Sequence, residues 1–505
     1  MSQSTTPQVN RKWYSGMLDT EDWWAAWLGL FLFGLGMLYI FNIDAVGWMV
    51  KPKMWEWTDL WSDFSWSKLL KTSSSRYKDW HPLAALGFSY LVFLVLTTIG
   101  AYFQGWNLKK YVRGFTIVFV LTMLAWIAGH EAHISAVDAT VKGHNYYREF
   151  NLSWGLQLGG ASYILALLTG LLIGNFARRF AASLHEASKP EWFIKTAIVL
   201  LGAKLGIMSM KAAGFTAELA MAGAAAAFVA YLLFWPIVYY IARKYFGLNR
   251  ESAAVLSSGI SICGVSASIA TAGAIKARPI IPVAVSSLII IFALIELAVL
   301  PPLYVTIAPN QPIVNGAAMG MTVKTDGADA AAGAILDELH RVKHLKQTGE
   351  KWEEGWILSA AILTKIWIDI FIGIWAFVLT LVWMKYVENK GVKKKLSKTE
   401  IWHRFPKFVL AYLVVWLFMV ALMNWASHDV VTAVKHGANI VQGSYRKFLF
   451  MLTFMTIGLI TDFSKLKGMG RLALLYAIAL FAIIAPIAYL VAWLFHHGMM
   501  PPVAE

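Results

Sequence analysis

Lys324, Asp326 and Asp329 stand within six positions of one another in a stretch, NGAAMGMTVKTDGADAAAG (315–333), that otherwise offers mostly glycine, alanine and methionine. A charge at the centre of a bilayer costs at least about 2.5–3.5 kcal/mol on insertion scales, so intramembrane ionisable residues face cavities, pair with one another and serve ion or substrate pathways. Asp326 and Asp329 are three apart and share one face if helical. The competing reading places 315–333 in an extramembrane loop, where its charges are simply solvated.

A second stretch, SSGISICGVSAS (257–268), lies between long apolar runs yet carries Ser257, Ser258, Ser261, Ser266 and Ser268 with Gly259 and Gly264. Such a composition suits an interrupted helix, whose freed backbone N–H groups must be met by a ligand or cavity water. The positive end of a helix makes an anion the natural ligand. It also suits close helix packing through small residues.

Other ionisable residues punctuate apolar runs: Lys204, Glu296, Lys365, Asp369 and Asp462. Lys365 and Asp369 are four apart and could pair along one helix. Gly129-His130-Glu131-Ala132-His133 lacks the His-Glu-x-x-His spacing and reads either as an interfacial helix end or as the nucleus of a metal site. The single cysteine, Cys263, excludes an internal disulfide. No phosphate-binding loop, nucleophile elbow or dinucleotide fingerprint occurs.

The elements that position these groups follow from composition. The chain has 505 residues, 58% hydrophobic and only 14% charged, against roughly 25% charged in soluble domains. Candidate spans of about 20 apolar residues are 22–43, 83–104, 114–134, 155–177, 192–210, 216–243, 252–275, 280–307, 314–336, 356–386, 407–425, 446–463 and 471–496. The fold class is therefore all-α: a polytopic transmembrane bundle of about 11–13 spans. Strands are not expected, because the alternating segments of an outer-membrane barrel are missing. The polar residues 1–21 and the uninterrupted run 23–40 are read as a retained first helix rather than a cleaved leader.

The formal charge of +15 is assigned to anchoring against anionic lipid, chiefly through a basic linker at 387–406 with Lys393, Lys394 and Lys395; no nucleic-acid motif accompanies it. Trp55, Trp57, Trp61 and Trp66 mark 52–70 as an interfacial segment. Two internal echoes, 201–214 with 457–470 and 259–275 with 320–335, point to related halves at about 155–307 and 314–496, an arrangement typical of carriers.

Ser258-Gly-Ile-Ser-Ile-Cys-Gly-Val-Ser-Ala resembles the Gly-x-Ser-Ile-Cys-Gly-x-x-Ala signature of the sulfate exporter family, the YeiH-like bacterial membrane proteins. The surroundings are similar in order: Leu171-Leu-Ile-Gly-Asn175, Leu201-Gly-Ala-Lys-Leu205 and Tyr245-Phe-Gly-Leu-Asn249 resemble family segments, and Lys365 falls on a lysine of the later helix. The likeness covers about 155–495, which implies a transporter core at 151–496 and an added N-terminal extension of about three spans at 1–150. It implies an inner-membrane carrier of inverted-repeat build, with two broken helices crossing near the midplane and sulfate or a related small anion as substrate. Where compact members carry Thr-Val-His-Glu, this chain has Thr322-Val323-Lys324-Thr325, so the substrate does not carry over directly.

The expectation that results is a secondary transporter for sulfate, sulfite or a sulfonate. Ser261, Cys263, Gly264, Ser266, Thr322, Lys324, Thr325 and Lys204 would hold the anion. Asp326, Asp329 and Lys365 would couple its movement to H⁺ or Na⁺, with no other cofactor, and a homodimer is the assembly expected. An anion channel, and a membrane-embedded metal enzyme using His130, Glu131 and His133, are the alternatives.

Overall fold

The computed structural model describes residues 16–58, 64–136, 146–156, 161–211, 213–275, 277–278, 280–386, 407–466 and 470–504. The basic linker 387–406 lies outside the described residues.

The extension contributes α1 (Glu21–Met37), α2 (Pro82–Phe103) and α3 (Leu108–Ala128). Between α1 and α2 the chain forms one hairpin, β1 (Val50–Pro52) with β2 (Leu70–Thr72), pairing Val50 with Thr72 and Lys51 with Lys71. These strands are the departure from an all-helical expectation. At three residues each they are too short to leave a readable alternation in the sequence.

The core continues with α4 (Ala161–Phe176), α5 (Pro190–Lys211), α6 (Ala213–Lys244), α7 (Arg250–Ser261), α8 (Gly264–Ala274) and α9 (Ile280–Ile307). It then adds α10 (Pro312–Thr322), α11 (Asp326–Thr348), α12 (Trp356–Tyr386) and α13 (Lys407–Trp425). The last are α14 (His428–Ile440), α15 (Lys447–Ile460), α16 (Gly470–Ala477) and α17 (Ala485–His496). Residues Val441–Arg446 join α14 to α15 through π-helical turns, and Ile478–Ile484 join α16 to α17 the same way. Seven helices among the described residues are long and apolar enough to cross a membrane. The interrupted ones escape a criterion of unbroken length, because α7, α8 and α10 are only 12, 11 and 11 residues long.

Glycine sets the closest contacts. A Cβ on Gly458 of α15 would sit 2.5 Å from the Leu167 carbonyl oxygen and 2.6 Å from the Leu171 nitrogen of α4. Its counterpart in the sequence echo, Gly202 of α5, would meet the Tyr412 carbonyl of α13 at 2.6 Å. The third echoed pair, Gly214 and Gly470, has nothing within 4 Å. Asn175 closes the α4–α15 contact: its side-chain amide donates to the Thr461 carbonyl and its Oδ1 accepts from the Phe463 N–H, both at 3.0 Å. Overpacking such a contact costs about 1–3 kcal/mol. Gly458→Val is therefore expected to lower the melting temperature of the purified protein by several degrees, whereas Gly470→Ala leaves it unchanged; equal melting of the two variants would contradict this packing.

The extension is built into the core rather than hung on it. α1 packs on α5, α13 and α14. Asp22 pairs with Lys195 at 3.0 Å, and the Tyr445 hydroxyl donates to the Val46 carbonyl at 2.9 Å.

Candidate functional site

Two helix interruptions meet. In the first, α7 ends at Ile262 (φ −118°, ψ −112°) and α8 restarts after Cys263. In the second, α10 ends at Val323 and α11 restarts after Thr325, whose Oγ accepts the Ala328 N–H at 3.2 Å. The Lys365 ammonium, on α12, donates to the Ile262 carbonyl and to the Val323 carbonyl, 3.1 Å from each. One cation thus ties the C-terminal ends of two half-helices, where the unspent carbonyls carry partial negative charge.

Glycine permits the approach. A Cβ on Gly264 would lie 2.6 Å from the Lys324 carbonyl oxygen and 2.5 Å from Ile289. On the other side, Gly320 of α10 leaves no room for a Cβ against the Ala361 carbonyl of α12.

Lys324 is fully buried. Its ammonium donates to the Met321 carbonyl and stands 5.2 Å from the Phe234 ring centroid, a cation–π distance. Its backbone N–H donates to Glu296 Oε2 at 3.1 Å. Glu296 is also fully buried, and its Oε1 has no hydrogen-bond partner among the described residues. It is the seventeenth residue of the 28-residue α9, about 24 Å from one end and 17 Å from the other at 1.5 Å per residue. Asp329, 1% exposed, and Lys365 share this electrostatic neighbourhood with Glu296.

Ser261 is fully buried, and its hydroxyl finds no partner among the described residues. Thr322 donates to the Ala318 carbonyl at 2.7 Å and lies 3.4 Å from the Tyr304 hydroxyl. Cys263 is a buried cysteine, in no disulfide, at the start of α8, an end without a side-chain cap hydrogen bond among the described residues. The side chains of Ser266 and Asp326 lie outside the described residues. Sequence reasoning noted Glu296 as an ionisable residue in an apolar run but left it out of the site. Its position as a lone carboxylate mid-way along α9 was the signal.

Lys204 is placed elsewhere. It lines a separate cavity with Asp337, Glu354 and Arg446, and Asp337 follows Asp329 by eight residues along α11, about 12 Å. Of the histidine cluster, His130 lines that cavity. His130 Nδ1 is 2.9 Å from the Trp126 carbonyl oxygen and 3.1 Å from the Ser162 hydroxyl. Glu131 Oε1 stands 2.9 Å from His133 Nδ1, and its Oε2 accepts the Ile134 N–H. Among the described residues no group of three His, Cys, Asp or Glu stands close enough together to hold a metal ion.

Residues 155–477 match the family model described as "Conserved hypothetical protein 698". A UPF0324 membrane protein of Nitrosomonas europaea is 57% identical over 496 residues, covering 98% of this chain and 99% of that one. A UPF0324 membrane protein of Rhodopirellula baltica is 30% identical over 416 residues, 78% of this chain and 66% of its own length. An uncharacterised protein of Archaeoglobus fulgidus is 41% identical over 166 residues, 29% of this chain and 88% of its own. No solved structure matches. The interrupted helices and the lysine that joins them fall inside the matched segment, and the chain belongs to this UPF0324 family of membrane proteins.

Proposed function

We propose that the chain is a secondary active transporter that moves a small anion such as sulfate, sulfite or a sulfonate across the bacterial inner membrane by alternating access, coupled to H⁺ or Na⁺. The observation that carries this reading is the Lys365 ammonium held between the Ile262 and Val323 carbonyls. Paired helix interruptions deep in an apolar bundle expose backbone groups that an unbroken helix would satisfy internally. Carriers place their substrate and ion sites at such discontinuities.

The chemistry divides along the half-helices. The C-terminal carbonyl ends of α7 and α10 are met by Lys365 and Lys324. The start of α8, without a side-chain cap among the described residues and three positions after the buried Ser261, suits an anion's oxygens. Glu296 and Asp329 are the carboxylates that a proton or sodium ion would neutralise when the anion enters, since an uncompensated carboxylate beside it is repulsive. The chain performs no covalent step in this scheme, requires no cofactor beyond the coupling ion, and acts as a homodimer in the lipid bilayer.

Purified protein in proteoliposomes tests it. Labelled sulfate or a labelled sulfonate should accumulate saturably under an imposed H⁺ or Na⁺ gradient, and Lys324→Ala and Asp326→Asn should each lower the rate about ten-fold or more. Flux that never saturates and ignores both gradients would favour a channel. Wild-type rates in both variants would remove these residues from the mechanism.

A further inference from the structure

The cavity that holds Lys204 has a volume of about 660 Å³, within the range of sites for small organic ligands. It is shared between the extension and the core. The hairpin supplies Lys51 and Lys71, α5 supplies Lys204, and the π-helical turns before α15 supply Gln442 and Arg446. Among the described residues, seven lysines and arginines and three carboxylates line it.

The carboxylates are already engaged. Asp337 pairs with Arg341 at 2.9 Å and accepts the Gly355 and Ile357 N–H groups at 3.1 Å, capping the start of α12. Glu354 lies 2.9 Å from Arg446 and 3.8 Å from Lys447. The Lys447 charge foremost, with Arg341 and Arg446, holds its carboxyl well below the ordinary carboxylate range although it is partly buried.

One feature of this cavity is costly without a further anion. Arg446 is 3% exposed, yet its Nε–H has no hydrogen-bond partner among the described residues; a buried unmet donor is destabilising. Lys51 and Lys71, opposite each other in the hairpin register, line the same cavity. An anion between hairpin and core meets that donor. A guanidinium with a free N–H favours an oxyanion over a halide. Trp126, Tyr163 and Leu358 add an apolar wall for which a bare inorganic ion has no use.

We propose that this cavity binds a small organic acid, its carboxylate or sulfonate head held by Arg446, Lys204, Lys51 and Lys71. The bound acid waits about three helical turns from the crossing. The proposal rests on the carrier reading for what happens to the acid next, and not for its binding.

Calorimetric titration of the full chain in detergent, with benzenesulfonate, sulfate and chloride at constant ionic strength, tests it. Benzenesulfonate should bind saturably and at least ten-fold tighter than sulfate, with no binding of chloride. Lys71→Gln on the hairpin and Lys204→Gln in the core should each weaken it about ten-fold while melting as the wild type does. Unchanged affinity in both variants overturns the site, and equal affinity for sulfate overturns the organic class. Loss of binding with intact gradient-driven flux removes this proposal alone, and intact binding without flux removes the carrier reading alone.

Discussion

Lys365→Met is expected to abolish measurable flux, with a fall of a hundred-fold or more, and to lower the melting temperature markedly. The methionine side chain fills similar space but donates nothing. The Ile262 and Val323 carbonyls, each 3.1 Å from the lysine nitrogen, would lose their shared donor deep in the bundle, where Lys365 is 3% exposed. Each unmet group costs about 1–3 kcal/mol, so together they cost roughly 2–6 kcal/mol, a large part of a protein's net stability. A loss of about 3 kcal/mol in the population of the assembled crossing is already worth about a hundred-fold. Lys365→Arg keeps the charge but replaces a compact ammonium by a planar fork, and should fold with intermediate flux. Thermal melting and proteoliposome uptake on all three proteins decide this. A methionine variant that melts and transports normally would mean that the cation does not hold the two interruptions together.

The second large effect is expected from Glu296→Gln. Glutamine keeps an oxygen for the Lys324 N–H, which Glu296 accepts at 3.1 Å, so the backbone of the second interruption stays in place. What disappears is the only charge that α9 brings to the crossing. Accumulation against a gradient should fall at least ten-fold, while exchange of labelled for unlabelled anion at equal concentrations persists, because exchange needs no net movement of the coupling ion. Melting should remain near that of the wild type. If accumulation in the variant still follows an imposed pH gradient as in the wild type, Glu296 does not carry the proton.

The helical skeleton was legible because long apolar runs leave few alternatives: α1, α2, α3, α9 and α13 lie within four residues of the spans read from hydropathy, except for the late end of the first span and the third span, which was set six residues late at both ends. The two interruptions were legible too, since serine and glycine crowd one and ionisable residues the other. Their joint was not. Lys365 could pair four residues along its own helix with Asp369, and nothing local says that it instead reaches carbonyls 103 and 42 positions away in the chain. The cavity was beyond sequence reasoning for the same reason. Lys51, Lys204 and Arg446 belong to three distant segments, and only the seating of the extension on the core brings them to one space. Lys204 therefore looked like a partner for Lys324, although the fold assigns it to different company.

The π-helical turns at Val441–Arg446 have a consequence for how this region tolerates change. A π turn accommodates one residue more than an α turn, so side chains before and after it are set about 100° out of phase with a regular helix. Deleting one residue there would act less as a shortening than as a twist. α14 would rotate by that angle against α1 while Leu449–Leu459 kept their places beside α4. The helix behaves as two independently clocked shafts on one axis, with Gln442 and Arg446 mounted on the coupling between them.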